Sequence, residues 1–187
     1  MRPYHHGDLR SALIDEGLRL VEQAGAEALS LREVARAAGV SATAVYRHFP
    51  DKRALMVVLA QEGVRRLGTA QTEAASGQAD ATSGFGAIGR AYVRFALTNP
   101  GLFRLTFTYP DLAIGDPMSD AAASLLHQYA LGLANGDEAR ARIIGLRAWS
   151  LVHGLAMLML DGRVPYTDAA IDAVIDVAAI YRDPRGR

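Results

Sequence analysis

Apolar residues recur at three- and four-residue intervals along most of this chain, and those intervals divide it into helices. Leu9, Leu13, Ile14, Leu18, Leu20 and Val21 form the stripe of a first helix over about 8–24, ended by Gly25. Two short helices come next, between Ser30 and Arg53. A further helix, 51–75, starts with Leu55, Val58 and Leu59 inward and loses apolar character through Thr69-Ala70-Gln71-Thr72. Residues 77–86 read as a polar turn of small residues. From Phe85 a helix carries Ile88, Tyr92, Phe95 and Ala96 on one face until Asn99-Pro100 breaks it. Leu102, Phe103, Leu105, Thr106 and Phe107 make a short aromatic-rich helix ending near Tyr109-Pro110. After a loop over 111–117, a helix from 118 to about 134 turns Leu125, Leu126, Tyr129 and Leu133 inward and closes at Asn135-Gly136.

The last two helices have a different pattern. Residues 137–160 include IIGLRAWSLVHGLAMLML, apolar around nearly the whole circumference. Residues 168–181 carry Ile171, Val174, Ile175, Val177, Ala178 and Ile180, with Asp168, Asp172 and Asp176 along one side. A helix apolar all round must be covered all round. One face against the core and another against a second subunit predicts a symmetric homodimer through a four-helix bundle. The alternative is that both helices are central in a monomer.

The segment SLREVARAAGVSATAVYRHFPDKR, 30–53, carries the strongest local signals. Ser30 and Glu33 have the spacing of a capping box, and Leu31, Val34, Ala35 and Ala38 supply one apolar face. Gly39 permits the left-handed turn that ends a helix, Ser41 offers the next cap, and Pro50 stops the second helix. Val45 and Phe49 point that helix inward, and small residues at 35 and 39 let the two helices cross closely. This is the packing of a helix-turn-helix, braced by the first helix into a three-helix domain. Its outward side offers Ala42, Thr43, Tyr46 and Arg47, with His48 and Lys52 closing the unit. Arg, Lys, Thr and Tyr at such positions reach phosphates or base edges. Asp51 is a candidate cap of the helix after it, whose N-terminus favours a phosphate beside Lys52.

Composition narrows the class. Half of the residues are apolar and 21% charged, as in a folded helical protein and unlike a disordered one. Net charge is zero, but 30–53 holds Arg32, Arg36, Arg47, Lys52 and Arg53 against Glu33 and Asp51, a local positive face. There is no cysteine, no Glu/His metal spacing and no Gly-rich phosphate loop, which argues against an enzyme and against any cofactor. His5-His6 lacks further ligands at a site-like spacing, so no metal is expected. Arg2, Tyr4, His5 and His6 read either as a DNA-contacting arm or as a frayed terminus. No run of 18 apolar residues and no signal core are present, so a cytoplasmic protein without membrane partner is expected.

GVSATAVYRHFPDK, with Tyr46, His48-Phe49 and Lys52 spaced after Gly39-Val40-Ser41, resembles the recognition segment of the tetracycline-repressor (TetR) family of bacterial transcription regulators. The resemblance runs from about Asp8 to Leu55. Trp149 and His153-Gly154 further resemble the C-terminal subgroup named for Trp-His-Gly. The resemblance implies an all-α fold, with a helix-turn-helix DNA-binding domain over 1–53 and a helical effector-binding and dimerisation domain over 54–187. It implies a ligand-responsive regulator, most often a repressor, that binds a palindromic double-stranded DNA operator as a homodimer. Ser30, Arg32, Ser41, Ala42, Thr43, Tyr46, Arg47, His48 and Lys52 are the expected DNA-binding residues. Tyr92, Phe95, Phe103, Phe107, Trp149, His153 and Met157 are the candidate pocket wall for an apolar or aromatic small-molecule effector, because pockets are mainly apolar with a few polar groups. The competing reading is a helical protein–protein interaction module that does not bind DNA.

Overall fold

The computed structural model describes residues 9–108 and 121–177, and every regular element among them is a helix. In order these are α1 (Leu9–Ala28), α2 (Leu31–Ala37), α3 (Ala42–Tyr46), α4 (Lys52–Ala75), α5 (Ala81–Thr98), α6 (Pro100–Thr108), α7 (Ala121–Leu133), α8 (Glu138–Leu160) and α9 (Asp168–Val174). They fall into two compact units. One holds the chain through Gly63 and the segment from Asn99; the other holds Val64–Thr98 and the described residues from 121 onward. The expected arm at Arg2, Tyr4, His5 and His6, the 111–117 loop, and Ala178 and Ile180 lie outside the described residues.

In the first unit, Leu13 and Val21 of α1, Val34 of α2, Val45 of α3, Phe49, and Leu55 and Leu59 of α4 are all but inaccessible. Gly25, at φ +79°, interrupts α1 where the sequence expects its end, and one more turn is added before Ser30. The short aromatic-rich helix α6 also belongs here, burying Leu102, Phe103 and Leu105. It is docked on α1 by a cap far away in sequence. Glu22 Oε2 accepts from Gly101 N at 3.0 Å and Glu22 Oε1 from Leu102 N at 2.8 Å. A carboxylate placed there satisfies free amides and meets the positive end of the helix dipole. The approach is so close that a Cβ on Gly101 would run into the Val21 carbonyl oxygen.

In the second unit, α5, α7 and α8 pack around Phe85, Ile88, Ala130, Ala134, Ala141, Ile144 and Ala148. Leu125, Leu126, Tyr129 and Leu133 pack against that cluster, as their spacing predicts. Helix α5 begins at Ala81, inside the stretch expected to be a turn. Asp80 Oδ1 accepts from Ser83 N at 2.8 Å, and Ser83 Oγ accepts from Asp80 N at 3.2 Å. This reciprocal cap starts the helix early, and the bonds from Ser83 hold the Asp80 carboxyl below its ordinary pKa.

Helix α8 is long and apolar enough, by length and composition alone, to cross a membrane. Its apolar residues divide between two sides instead. Ala141, Ile144, Ala148, Val152, Leu155, Ala156 and Met159 are buried, while Ile143, Leu146 and Leu158 are exposed. Helix α9 was expected to run on to 181. It leaves helical geometry at Ile175, with φ −86° and ψ +64°, although the Ile175 side chain stays buried. Its acidic side faces α5: Arg94 Nη2 donates to Asp168 Oδ1 at 2.9 Å, and Arg90 Nε lies 3.7 Å from Asp172 Oδ1. Both pairs are solvent-exposed and contribute little to stability.

The α1–α6 junction gives a direct test. Gly101→Ala forces backbone atoms apart and should cost about 1–3 kcal/mol, measured by thermal unfolding monitored with circular dichroism. Glu22→Ala should cost about 1 kcal/mol, the usual worth of a helix cap. Unchanged unfolding in both variants would mean that α6 is not held on α1 in this way.

Candidate nucleic-acid interface

The helix-turn-helix is built from short-range hydrogen bonds. Ser30 Oγ accepts from Glu33 N at 3.2 Å and donates to Glu33 Oε2 at 3.0 Å, which starts α2. At the other end Gly39 takes φ +69°, and Val40 N donates to Ala35 O at 2.9 Å while Gly39 N donates to Arg36 O at 3.2 Å. This is the paired-bond termination that a left-handed glycine allows. Ser41 Oγ then accepts from Ala44 N at 3.2 Å and starts α3. After Pro50, Asp51 Oδ1 accepts from Ala54 N at 2.7 Å, capping α4.

With Val45 and Phe49 turned inward, α3 presents Thr43 and Tyr46 to solvent, the turn after it presents Arg47 and His48, and Ala42 is half-exposed beside them. Tyr46 is 49% exposed, unusual for so large a ring without a partner surface. Arg32 and Arg36 of α2 are also exposed. Ser30 and Ser41 already serve as caps, so their hydroxyls position helices in addition to anything they contact. Lys52 is half-buried, and its Nζ donates to Glu27 O at 2.8 Å. An ammonium has three protons, so this bond orients the charge at the start of α4 without exhausting its donors. The sequence did not single out Arg10, whose guanidinium lies 5.5 Å from the centre of the Phe49 ring. A cation stacked on that ring reinforces the seat of α3. Its place on the polar side of the α1 stripe gave no sign of this contact.

The candidate pocket residues divide between the two units. Tyr92 and Phe95 of α5 are buried in the second unit, and Trp149, His153 and Met157 succeed one another at four-residue steps on α8. Phe103 and Phe107 belong to α6 in the first unit, their rings 4.8 Å apart. Three of the seven form a polar chain. Tyr92 Oη and His153 Nδ1 are 2.9 Å apart, and Trp149 Nε1 donates to Tyr92 Oη over a longer 3.4 Å. The indole can only donate, so Tyr92 Oη accepts from it, and the imidazole tautomer sets which partner donates in the Tyr92–His153 bond. Among the described residues no cluster of three His, Cys, Asp or Glu side chains is arranged to hold a metal ion.

Burial pushes the His153 imidazole below the usual histidine pKa of 6.5. The unfolded chain therefore takes up more protons there than the folded one. Its favourable contribution is complete above pH 6.5 and is lost as pH falls through the lower, folded value. NMR titration of the His153 ring should give a midpoint below 6.5; a midpoint above that would contradict its burial.

Comparison with known proteins agrees with this geometry. The model described as "Bacterial regulatory proteins, tetR family" matches residues 13–59, spanning α2, α3 and the parts of α1 and α4 that brace them. The model described as "Tetracyclin repressor-like, C-terminal domain" matches residues 85–179, just over half of the chain. The HTH-type transcriptional regulator AcrR of Shigella flexneri is 47% identical over 45 residues, 24% of this chain and 21% of that protein. The chain thus matches about a fifth of that relative's length. A Rhodococcus sp. RHA1 structure described as a protein with unknown function is 29% identical, with a TM-score of 0.73 over 97% of both chains. The fatty acid degradation regulator FadR of Bacillus halodurans shares the fold, with a TM-score of 0.76 at 16% identity over 99% of this chain and 100% of its own. The chain belongs to the tetR family of bacterial regulatory proteins.

Proposed function

We propose that the protein is a ligand-responsive repressor that binds a palindromic operator as a homodimer. The observation that carries this reading is the outward face of α3. Thr43 and Tyr46 on this helix, and Arg47 and His48 in the turn after it, stand clear of the subunit, while the inner side is fixed by Val45 and Phe49. Two such helices, one per protomer, enter successive major grooves about 34–36 Å apart. Thr43, Tyr46 and Arg47 read bases and phosphates, with Ala42 close to the groove floor. Arg32, His48 and Lys52 contact the backbone, and Ser30 and Ser41 hold the two helices in register. A chromosomal target places the protein in the cytoplasm.

The exposed side of α8 supports the homodimer. Ile143, Leu146 and Leu158 are 52%, 61% and 47% exposed on one side of the helix, and exposed large apolar side chains grouped on one side mark an association surface. Gly154 lies among them in the middle of the helix, where glycine costs about 1 kcal/mol relative to alanine. Among the described residues, a Cβ there would meet nothing within 4 Å beyond its own stretch of helix, which leaves room for the close approach of a second copy.

The effector acts on the second unit, where Tyr92, Phe95, Trp149, His153 and Met157 supply an apolar lining with a hydrogen-bonded polar edge. Helix α4 starts beside the DNA-reading face and ends in the second unit. As a continuous helix of 24 residues it carries a displacement from one end to the other. The ligand shifts the equilibrium only by its differential affinity for the DNA-competent and DNA-incompetent states.

Two measurements test the reading. Leu146→Glu combined with Ile143→Glu should convert dimer to monomer in sedimentation at micromolar protein and weaken DNA binding; a chain that is monomeric before substitution sinks the dimer. Lys52→Ala should weaken binding to all duplexes alike and reduce the slope of log affinity against log salt by about one. Replacing Thr43 or Arg47 should instead change which sequences are preferred. A Lys52→Ala protein with unchanged affinity and slope would confine that lysine to its bond with Glu27.

A further inference from the structure

One polar side chain inside the second unit has no packing reason to be there. Gln71, on the later half of α4, is only 5% exposed. Its Nε2 donates to Ile88 O at 3.2 Å, whereas its Oε1 is buried with no hydrogen-bond partner among the described residues. The carbonyl fixes which way the amide points, because only the amide nitrogen can donate to it. A buried acceptor left unpaired costs about 1–3 kcal/mol, and leucine would fill the same space without that cost. Gln71 is also well placed. In a helix the Ile88 carbonyl is the natural partner of the Tyr92 amide, so the carboxamide lies against the turn of α5 that carries Tyr92, and Tyr92 is bonded in turn to His153.

The surroundings select the chemistry of what Oε1 would meet. Gln71 and Thr106 are the fully buried polar or charged side chains among the described residues. Thr106 is in the first unit, and its hydroxyl donates to Leu102 O at 2.8 Å. The described interior of the second unit therefore holds no buried carboxylate to pair with a cation and no buried arginine or lysine to pair with an anion. An ion taken into it would go unpaired, at a cost of several kcal/mol. A neutral group faces no such penalty.

We propose that Gln71 is the specificity-determining residue of the effector site, and that the effector is a neutral, mainly apolar molecule whose hydroxyl or N–H donates to Gln71 Oε1. Phenols, alcohols and secondary amides have this chemistry; carboxylates and ammonium ions do not. The proposal rests on the ligand-responsive reading above and sharpens it, because a ligand bonded to Gln71 pulls on α4 itself.

The test uses the full chain and its own reporter. Trp149 is the sole tryptophan, and it is bonded to Tyr92, so its fluorescence reports occupancy without any DNA. The probes are 4-propylphenol, 4-phenylbutanol and N-methylbenzamide as neutral donors, 4-propylanisole as the donor-free match of the phenol, and 4-propylbenzoate and 4-propylbenzylammonium as the charged pair. Saturable binding of a neutral donor is expected. The phenol should bind about tenfold more tightly than the anisole, and both charged probes more weakly still. Gln71→Leu should remove the phenol's advantage while keeping or raising the melting temperature, since an unpaired acceptor is deleted. The proposal is overturned if no neutral donor binds, if phenol and anisole bind alike, if a charged probe binds best, or if the phenol's advantage survives Gln71→Leu. Duplex binding in the presence of probe is scored separately. Binding that depends on Gln71 but leaves DNA affinity unchanged would count against ligand-responsive repression and not against the site, whereas release of DNA by a charged probe independent of Gln71 would do the reverse.

Discussion

A helix as short as α3, Ala42–Tyr46, cannot hold itself together in water, because its few internal hydrogen bonds do not repay the cost of nucleation. It exists here because everything around it is fixed first. Ser41 supplies its cap, the left-handed Gly39 sets its departure from α2, and Val45 and Phe49 are sealed into the core with Leu13, Val34 and Leu55. With the inner side immobilised, the outer side chains are presented in one orientation, which is what reading a groove requires. Arg10 over Phe49 and Lys52 on the Glu27 carbonyl brace the same small region from α1 and α4.

The second unit solves a different problem. Its core sets alanines beside Phe85, Ile88 and Ile144, and α5, α7 and α8 pack together around Ala130, Ala141 and Ala148. Into this interior are set the Gln71 carboxamide and the Tyr92 hydroxyl, the latter bonded to the half-buried His153 and the more exposed Trp149. Burial of such groups is unfavourable unless something answers them.

The sequence was most legible where structure is set locally. The Ser30, Gly39, Ser41 and Pro50 signals act within a few residues, and α2 and α3 lie where they point; Asp137 likewise starts α8 where expected. Legibility failed where the cause is a competing local bond or a distant one. The Asp80–Ser83 reciprocal cap starts α5 within a stretch whose composition reads as a turn. Ile175 leaves the helix although its apolar spacing continues, because its side chain can be buried without helical backbone. The bonds from Gly101 and Leu102 to Glu22 span about eighty residues, and no periodicity announces them. Gln71 stood in a run that merely looked less apolar; only the fold reveals that its oxygen is enclosed. The aromatic pocket candidates illustrate the same limit, since residue type marked Phe103 and Phe107 alongside Tyr92 and Trp149, while the chain distributes them over two units.

Dimeric, sequence-specific recognition of DNA is the claim on which the functional reading stands. It is tested most directly by selecting random duplex DNA on the purified protein and sequencing what is retained, once with protein alone and once with a cell extract present to supply ligands. The expected product is an inverted repeat whose half-sites are centred about 10–10.5 base pairs, or a multiple of that spacing, apart. Retention of no common motif under either condition, at low salt where phosphate contacts are strongest, would contradict it.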